Sequence, residues 1–344
     1  RLPEVEIVDL KELYKERKAA LLSPPLFEAI DAALGRGEQA ILFLNRRSYA
    51  PFVVCRDCGH RFTCIRCSVA LCLHRSAGNL QCHQCDYHIP MPEVCPQCAG
   101  VRVGAFGVGV EKVEETVAAL WPQAKVARLD RDVVQRKGAL EEIMASFRSG
   151  ETNVLVGTQM VAKGLDFPNV TVVGVIAADI SLNIPDFRAS ERTFQLLSQV
   201  AGRAGRGSKP GRVVIQTLSP DHVSVLCAQS HDYESLFASV ESERKEAGYP
   251  PYVRLVNVVF TGKVRAAVVQ SSLLAAQRLA RAVPQAQVLG PVDCTISKIQ
   301  DMHRRHVLVK LPVGTPPSVC AAALDGLDTA RVRVVVDADP YSLI

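Results

Sequence analysis

No stretch of the 344-residue chain approaches the run of roughly 18 apolar residues that a membrane-crossing helix needs, so no transmembrane helix is expected. The opening Arg1-Leu2-Pro3-Glu4 is neither a secretory signal nor an initiator methionine, and a piece of a longer protein is expected. Internal repeats and low-complexity runs are missing too. Aromatic residues make up 6% and charged residues 22% against 48% hydrophobic, a balance that argues for a globular chain over a disordered one. An excess of one charge is also lacking: 40 Lys and Arg against 35 Asp and Glu leave +5, compatible with a nucleic-acid partner but too small to indicate one. Neither G-x-x-x-x-G-K-[ST] nor a DExH-type acidic box occurs, and the only Gly-Lys pair, Gly262-Lys263, precedes Val264 and lacks the upstream glycine. The phosphate cradle and the Mg²⁺-holding acid of a nucleotide hydrolase are therefore not in this chain.

Cysteine, by contrast, is plentiful and clustered. Nine of the 12 cysteines fall between Cys55 and Cys98. Eight form four C-x2-C pairs, Cys55/Cys58, Cys64/Cys67, Cys82/Cys85 and Cys95/Cys98, with intervals of five, fourteen and nine residues. A two-residue gap lets both thiolates of a knuckle face one tetrahedral ion, so four knuckles suit two closed, structural zinc sites with four cysteine ligands each. Redox chemistry would need one pair, and a disulfide framework would need a secretory context. Four pairs allow three groupings. The fourteen-residue interval, with Gly78-Asn79 at its turn, suits a hairpin that carries two knuckles to one ion, which favours a nested grouping. Cys72, His60, His74, His83 and His88 are surplus and expected to serve packing or surface, and Cys227, Cys294 and Cys320 are expected to be buried and inert.

Around this block the pattern is α/β. Strands are expected at Val5–Leu10, Ala40–Leu44, Lys125–Leu129, Val154–Val156, Val170–Ala177 and Arg212–Thr217, and helices from Ser23-Pro24 to about Leu34, over Glu111–Leu120, Ala139–Phe147 and Ala189–Ala204. Apolar strands alternating with such helices imply crossovers and a parallel sheet covered on both faces. A polar helix from about Asp221 to Ala247 ends at Gly248-Tyr249-Pro250-Pro251. Beyond it, strand (Val253–Phe260), helix (Arg265–Ala282), strand (Ala286–Leu289), strand (His306–Leu311), helix (Pro317–Leu327) and strand (Arg331–Asp337) give the βαββαβ order of a ferredoxin-like unit. The expected domains are 1–50 with 101–220, an inserted module at 51–100, a helical linker at 221–252, and a carboxyl-terminal α+β domain at 253–344.

Two segments point to nucleotide chemistry. Val154 to Asp166 reads as a buried strand ending in a polar loop, and loops past the carboxyl ends of strands are where ligands bind in α/β sheets. Gln199-Val200-Ala201-Gly202-Arg203-Ala204-Gly205-Arg206 places two arginines three apart, hence on one helical face, where guanidinium forks can converge on a γ-phosphate as arginine fingers do. An exposed basic helix end would explain either arginine alone, but not the whole string.

Together with Phe43-Leu44-Asn45-Arg46-Arg47, the cysteine module, Gly157-Thr158-Gln159-Met160, Ala162-Lys163-Gly164 and Asn183 to Arg192, these segments resemble the carboxyl-terminal half of the PriA family of bacterial replication-restart (primosomal) DNA helicases. The resemblance is strong from about residue 40 to 252 and looser beyond. It implies a RecA-like second lobe of a superfamily 2 helicase, with the two-zinc module inserted and a ferredoxin-like domain after it. It also implies one zinc on Cys55, Cys58, Cys95 and Cys98 and another on Cys64, Cys67, Cys82 and Cys85. By the same resemblance Gln199, Arg203 and Arg206 reach ATP across the lobe cleft, while Thr158, Gln159, Lys163, Gly164 and Asp166 couple ATP to DNA. ATP and Mg²⁺ would be held by the parent's first lobe. The implied activity is 3'-5' unwinding at stalled or abandoned forks, D-loops and single-strand/double-strand junctions, followed by primosome assembly and reloading of the replicative helicase. Primosome proteins, the single-stranded DNA-binding protein and the replicative helicase are the implied partners, for a cytoplasmic, nucleoid-associated monomer with no membrane role. A parent that has lost its ATPase residues would instead be a zinc-stabilised fork-binding scaffold. Eight zinc-bound thiolates and two Zn²⁺ lower the formal +5 to about +1, so DNA contact must come from locally placed groups and from the rest of the parent. The basic cluster Lys298, Arg304 and Arg305 is expected to be ordinary solvated surface more than a DNA contact.

Overall fold

The computed structural model describes residues 3–16, 21–44, 52–67, 69–74, 78–106, 109–130, 133–158, 167–205, 209–327, 329 and 331–343. Among them no helix is long and apolar enough to cross a membrane.

Six strands form a parallel sheet in the order β1-β11-β10-β2-β9-β8: β1 is Glu4–Asp9, β2 Gln39–Phe43, β8 Val126–Leu129, β9 Val154–Gly157, β10 Val170–Val175 and β11 Arg212–Thr217. Every residue of β2, β9 and β10 is buried. That is what a strand covered on both faces requires, and why these segments read as continuous apolar runs. Alternation within β2 divides the core. Ala40 and Leu42 face helices Pro24–Gly35 and Val110–Leu120, whereas Ile41 and Phe43 face helices Ala139–Arg148 and Ala189–Ala201. Gly174 in β10 carries no side chain because Leu26 fills its place: a Cβ there would lie 2.6 Å from Leu26 Cδ1.

Between β2 and helix Val110–Leu120 the chain forms a five-stranded antiparallel sheet, β6-β5-β4-β3-β7, from β3 (Phe52–Cys55), β4 (Cys72–His74), β5 (Asn79–Gln81), β6 (His88–Pro90) and β7 (Val103–Phe106). The β4–β5 hairpin has Gly78 at its turn with φ +62°. After β11, a single polar helix was expected, but two are present, Val223–Ser230 and Tyr233–Ala247. The first stops at His231, which takes the left-handed conformation, and Asp232 starts the second by accepting the Ser235 N–H at 3.0 Å.

The last sheet is antiparallel in the order β13-β14-β12-β15, with β12 Val253–Gly262, β13 Gln287–Ile299, β14 Met302–Pro312 and β15 Val332–Ala338. Helices Arg265–Ala282 and Ser318–Leu324 pack on one face of it through Val268, Ala275, Leu279 and Cys320. This is the ferredoxin-like arrangement, with β13 running well past the expected Leu289. Arg305 and Arg304 are held within the domain, donating to the carbonyls of Pro291 at 2.7 Å and Ile296 at 3.2 Å. Lys298 pairs with Asp301 at 2.7 Å.

Candidate metal centres and nucleotide-facing segments

The fold of the cysteine module brings its eight paired thiols into two groups. Cys55, Cys58, Cys95 and Cys98 form the outer group, and Cys64, Cys67, Cys82 and Cys85 the inner one, with the ligand atoms of each group all within 4.8 Å of one another. Local structure explains the placement. In the knuckles the amides of Arg66, Gln84 and Gly100 point back at Cys64, Cys82 and Cys98 Sγ at 3.4 Å each, which bends the chain around the sulfurs. Strand pairing then closes the groups: β3 against β7 carries Cys55 toward the Cys95/Cys98 knuckle, and the β4–β5 hairpin carries Cys82 toward Cys64 and Cys67.

Both groups fit a tetrahedral thiophilic ion. Sγ separations are 3.7 Å for Cys55–Cys98, 3.6 Å for Cys58–Cys95 and 3.5 Å for Cys64–Cys85. Four sulfurs about 2.3 Å from a tetrahedral zinc are about 3.8 Å apart. Electrostatics points the same way. Burial, aided by the neighbouring thiols, pushes Cys58 up to about 12. Hydrogen bonding to Cys64 and Cys82, with burial, pushes Cys67 up. Four thiolates this close cannot all ionise without a cation among them, so the clusters are costly as bare thiolates and favourable around an ion. With four sulfurs each, neither site leaves a coordination position for substrate.

The two groups are anchored to different parts of the molecule, which sequence reading did not anticipate. The outer group is anchored to the short helix Leu10–Lys15 that follows β1: Arg102 donates to Asp57 Oδ1 at 2.6 Å and to the Tyr14 carbonyl at 2.7 Å, and Arg56 lies over the Tyr14 ring. The inner group faces the ferredoxin-like domain. Tyr249 hydroxyl donates to the Cys67 carbonyl at 2.8 Å, and His83 Nδ1 lies 2.8 Å from the Asp293 carbonyl oxygen. His83, expected to be surplus, is thus an interface residue, paired with His74 at 3.1 Å between ring nitrogens. Cys72, Cys227, Cys294 and Cys320 are buried, outside both groups.

Of the nucleotide-facing candidates, Thr158 lies just past β9 at the carboxyl edge of the parallel sheet, its amide bonded to the Leu129 carbonyl at 3.2 Å. Gln159, Lys163, Gly164 and Asp166 lie outside the described residues, as does Arg206. Gln199 is exposed on the last turn of helix Ala189–Ala201. The helix ends at Ala201 with Gly202 as its cap, so half-buried Arg203 stands in the following turn and not on the helix. The expectation that the helix runs on through Arg203 is therefore corrected. Gly205 keeps the turn from returning to helix. Gly205 has φ +70°, its amide donates to Val170 O at 3.0 Å, and it packs against Gly211, whose nitrogen would lie 2.4 Å from a Cβ. Val170 begins β10, so this turn sits at the amino edge of the sheet and Thr158 at the opposite edge. Thr158 and Arg203 therefore stand at opposite ends of the sheet.

The Asn183–Arg192 segment is tied to the chain at several points. Buried Asp186 accepts from the Arg188 amide and from Arg192 Nη1, both at 2.9 Å. Arg188 and Arg192 continue to the carbonyls of Pro340 and Tyr341 at 3.1 and 2.7 Å.

Comparison with known proteins converges on one family. Residues 100–208 match the helicase conserved C-terminal domain, and residues 245–341 match the primosomal protein N C-terminal domain. The chain is 40% identical over 349 residues to the replication restart protein PriA of Bacillus subtilis (strain 168), covering 100% of this chain and 43% of that protein. It is also 40% identical to the protein of that name from Treponema pallidum (strain Nichols), covering 99% of this chain and 52% of that protein. The chain thus spans about half the length of these curated relatives. Among solved structures, the C-terminal domain of the DEAD-box protein Dbp5 aligns with 70% of this chain and 98% of its own at 12% identity and a TM-score of 0.33, too remote to add to the argument. With a parallel sheet, paired cysteine groups and a ferredoxin-like domain in one order, and matches at this identity along the whole of this chain, the chain belongs to the family of the replication restart protein PriA.

Proposed function

We propose that this chain is the second motor lobe, zinc module and carboxyl-terminal domain of an ATP-dependent DNA helicase that acts at stalled replication forks. The observation that carries the reading is identity of 40% along the whole chain to proteins named for replication restart. The domain division into 1–50 with 101–220, 51–100, 221–252 and 253–344 belongs to the same reading.

In this proposal both cysteine groups hold structural Zn²⁺, an assignment supported by the all-sulfur donor sets and their spacing. Arg203 and Arg206, with Gln199, reach ATP bound by the parent's first lobe, and neutralise charge that develops on the transferred phosphoryl group. Thr158, Gln159, Lys163, Gly164 and Asp166 pass the resulting closure to DNA. Opposite placement of Thr158 and the Arg203 turn supports a division of labour, with one edge of the sheet facing nucleotide and the other facing the strand. Unwinding with 3'-5' polarity, primosome assembly and replicative-helicase loading are proposed for the parent protein on family grounds. Because no P-loop occurs, the chain by itself should not hydrolyse ATP. The test is fork-dependent ATP hydrolysis by the full-length protein and by this chain alone: turnover in the first and none in the second is expected. Fork binding by a full-length protein without turnover would favour the scaffold reading.

A further inference from the structure

Tyr249 is 2% exposed, and four parts of the molecule meet on it. Its ring stacks on Phe187 at 4.5 Å between centroids and 8° between planes. Lys310 Nζ of β14 lies 4.0 Å from the centre of the Tyr249 ring, and Arg188 lies 4.1 Å from the centre of the Phe187 ring. A cation therefore sits over each ring of the stack. The hydroxyl reaches the inner cysteine group, 2.8 Å from the Cys67 carbonyl and 2.8 Å from the Gln84 side-chain amide.

These contacts join a metal knuckle to the motor lobe with no flexible link between them. The Cys67 carbonyl is fixed by the bend that brings Cys64 and Cys67 to one ion. If that bend relaxes, the buried hydroxyl loses the Cys67 carbonyl and is left with Gln84 Oε1, in the other knuckle of the same group, as its one acceptor, and the stacked Phe187 is free to follow. Phe187 lies between Asp186 and Arg188, in the segment that also holds Pro340 and Tyr341 through Arg188 and Arg192.

We infer that Tyr249 is a positioning residue that couples occupancy of the inner cysteine site to the placement of the Asp186–Arg192 segment. The inference rests on the zinc reading of the inner group but not on helicase activity. Coupling between two sites is reciprocal: if the metal holds Phe187 in place, then perturbing Phe187, which is not itself a ligand, must loosen the metal.

The experiment follows zinc release from the zinc-loaded chain to a chromogenic chelator, for wild type, Tyr249→Phe, Phe187→Leu and Phe187→Tyr. Tyr249→Phe keeps the stack and removes the hydroxyl; Phe187→Leu keeps the hydroxyl and removes the stack. One of the two zincs should leave about threefold to tenfold faster in each of these, the other should leave at the wild-type rate, and Phe187→Tyr should restore wild-type release. Wild-type rates for both zincs in both variants would overturn the inference, as would equal acceleration of both zincs. A chain that purifies without zinc would overturn the metal reading and this inference together, whereas two retained zincs with unchanged rates would overturn this inference alone.

Discussion

Gly59 lies against the backbone of Leu218: a Cβ built on Gly59, whose φ is +76°, would come within 2.1 Å of the Leu218 carbonyl oxygen. The tip of the first knuckle thus touches the end of β11, and only glycine permits both the close approach and the left-handed backbone. Gly59→Ala should cost about 1–3 kcal/mol and loosen the outer metal group in particular. Urea unfolding and zinc content check this; an unchanged midpoint with two zincs retained would show that the knuckle is free to shift.

Removing the metal should separate the module from the sheet it sits on. Hydrogen exchange after chelation is expected to rise across β3 to β7 while β9 and β10, buried on both faces, stay protected. Metal analysis should find about two zincs per chain. Fewer would contradict the eight-ligand assignment.

Acid should weaken the fold through His222. Its Nδ1 caps helix Val223–Ser230 by accepting the Ser224 amide at 3.2 Å, which requires a neutral ring. Burial, with Arg61 nearby, brings it down to about 3 from the ordinary 6.5. The folded form therefore binds this proton less readily than the unfolded chain. The contribution is fully present above pH 6.5 and is lost as pH falls toward 3, amounting to about 1–2 kcal/mol by pH 5. His222→Ser keeps a capping oxygen and removes the titration. It should flatten the loss of stability between pH 7 and about 5, and an unchanged slope would reject the assignment.

Legibility in the sequence followed the range of the interactions. Helix Arg265–Ala282 and strand β11 have the expected ends, because periodicity and local turn residues decide them. The four knuckles are visible as spacing, and the fourteen-residue interval favours the nested grouping that the fold forms, although it is strand pairing such as that of β3 with β7 that brings the pairs together. The end of helix Ala189–Ala201 was misplaced. Apolar residues continue through Ala204, and the stop depends on Gly205 fitting against Gly211, six residues further on. Least legible was the junction of Tyr249, His83 and Lys310. Its members lie in three separate segments and carry no motif, so only the packed structure brings them together.

The Gly205–Gly211 contact should matter to any reaction that uses the turn before it. A Cβ on Gly211 would lie 2.5 Å from the Gly205 nitrogen, so Gly211→Ala must shift the turn that presents Arg203. In the full-length protein this substitution should lower ATP turnover about tenfold or more while zinc content and sheet protection stay normal. Normal turnover would mean that the turn does not position the arginines.

The central claim is that this chain completes a nucleotide site whose other half lies in the parent's first lobe. Fork-dependent ATP turnover by full-length protein, wild type against Arg206→Ala, tests it most directly. Turnover should fall by about 10³-fold or more with fork affinity largely kept. Unchanged turnover in Arg206→Ala would contradict the claim.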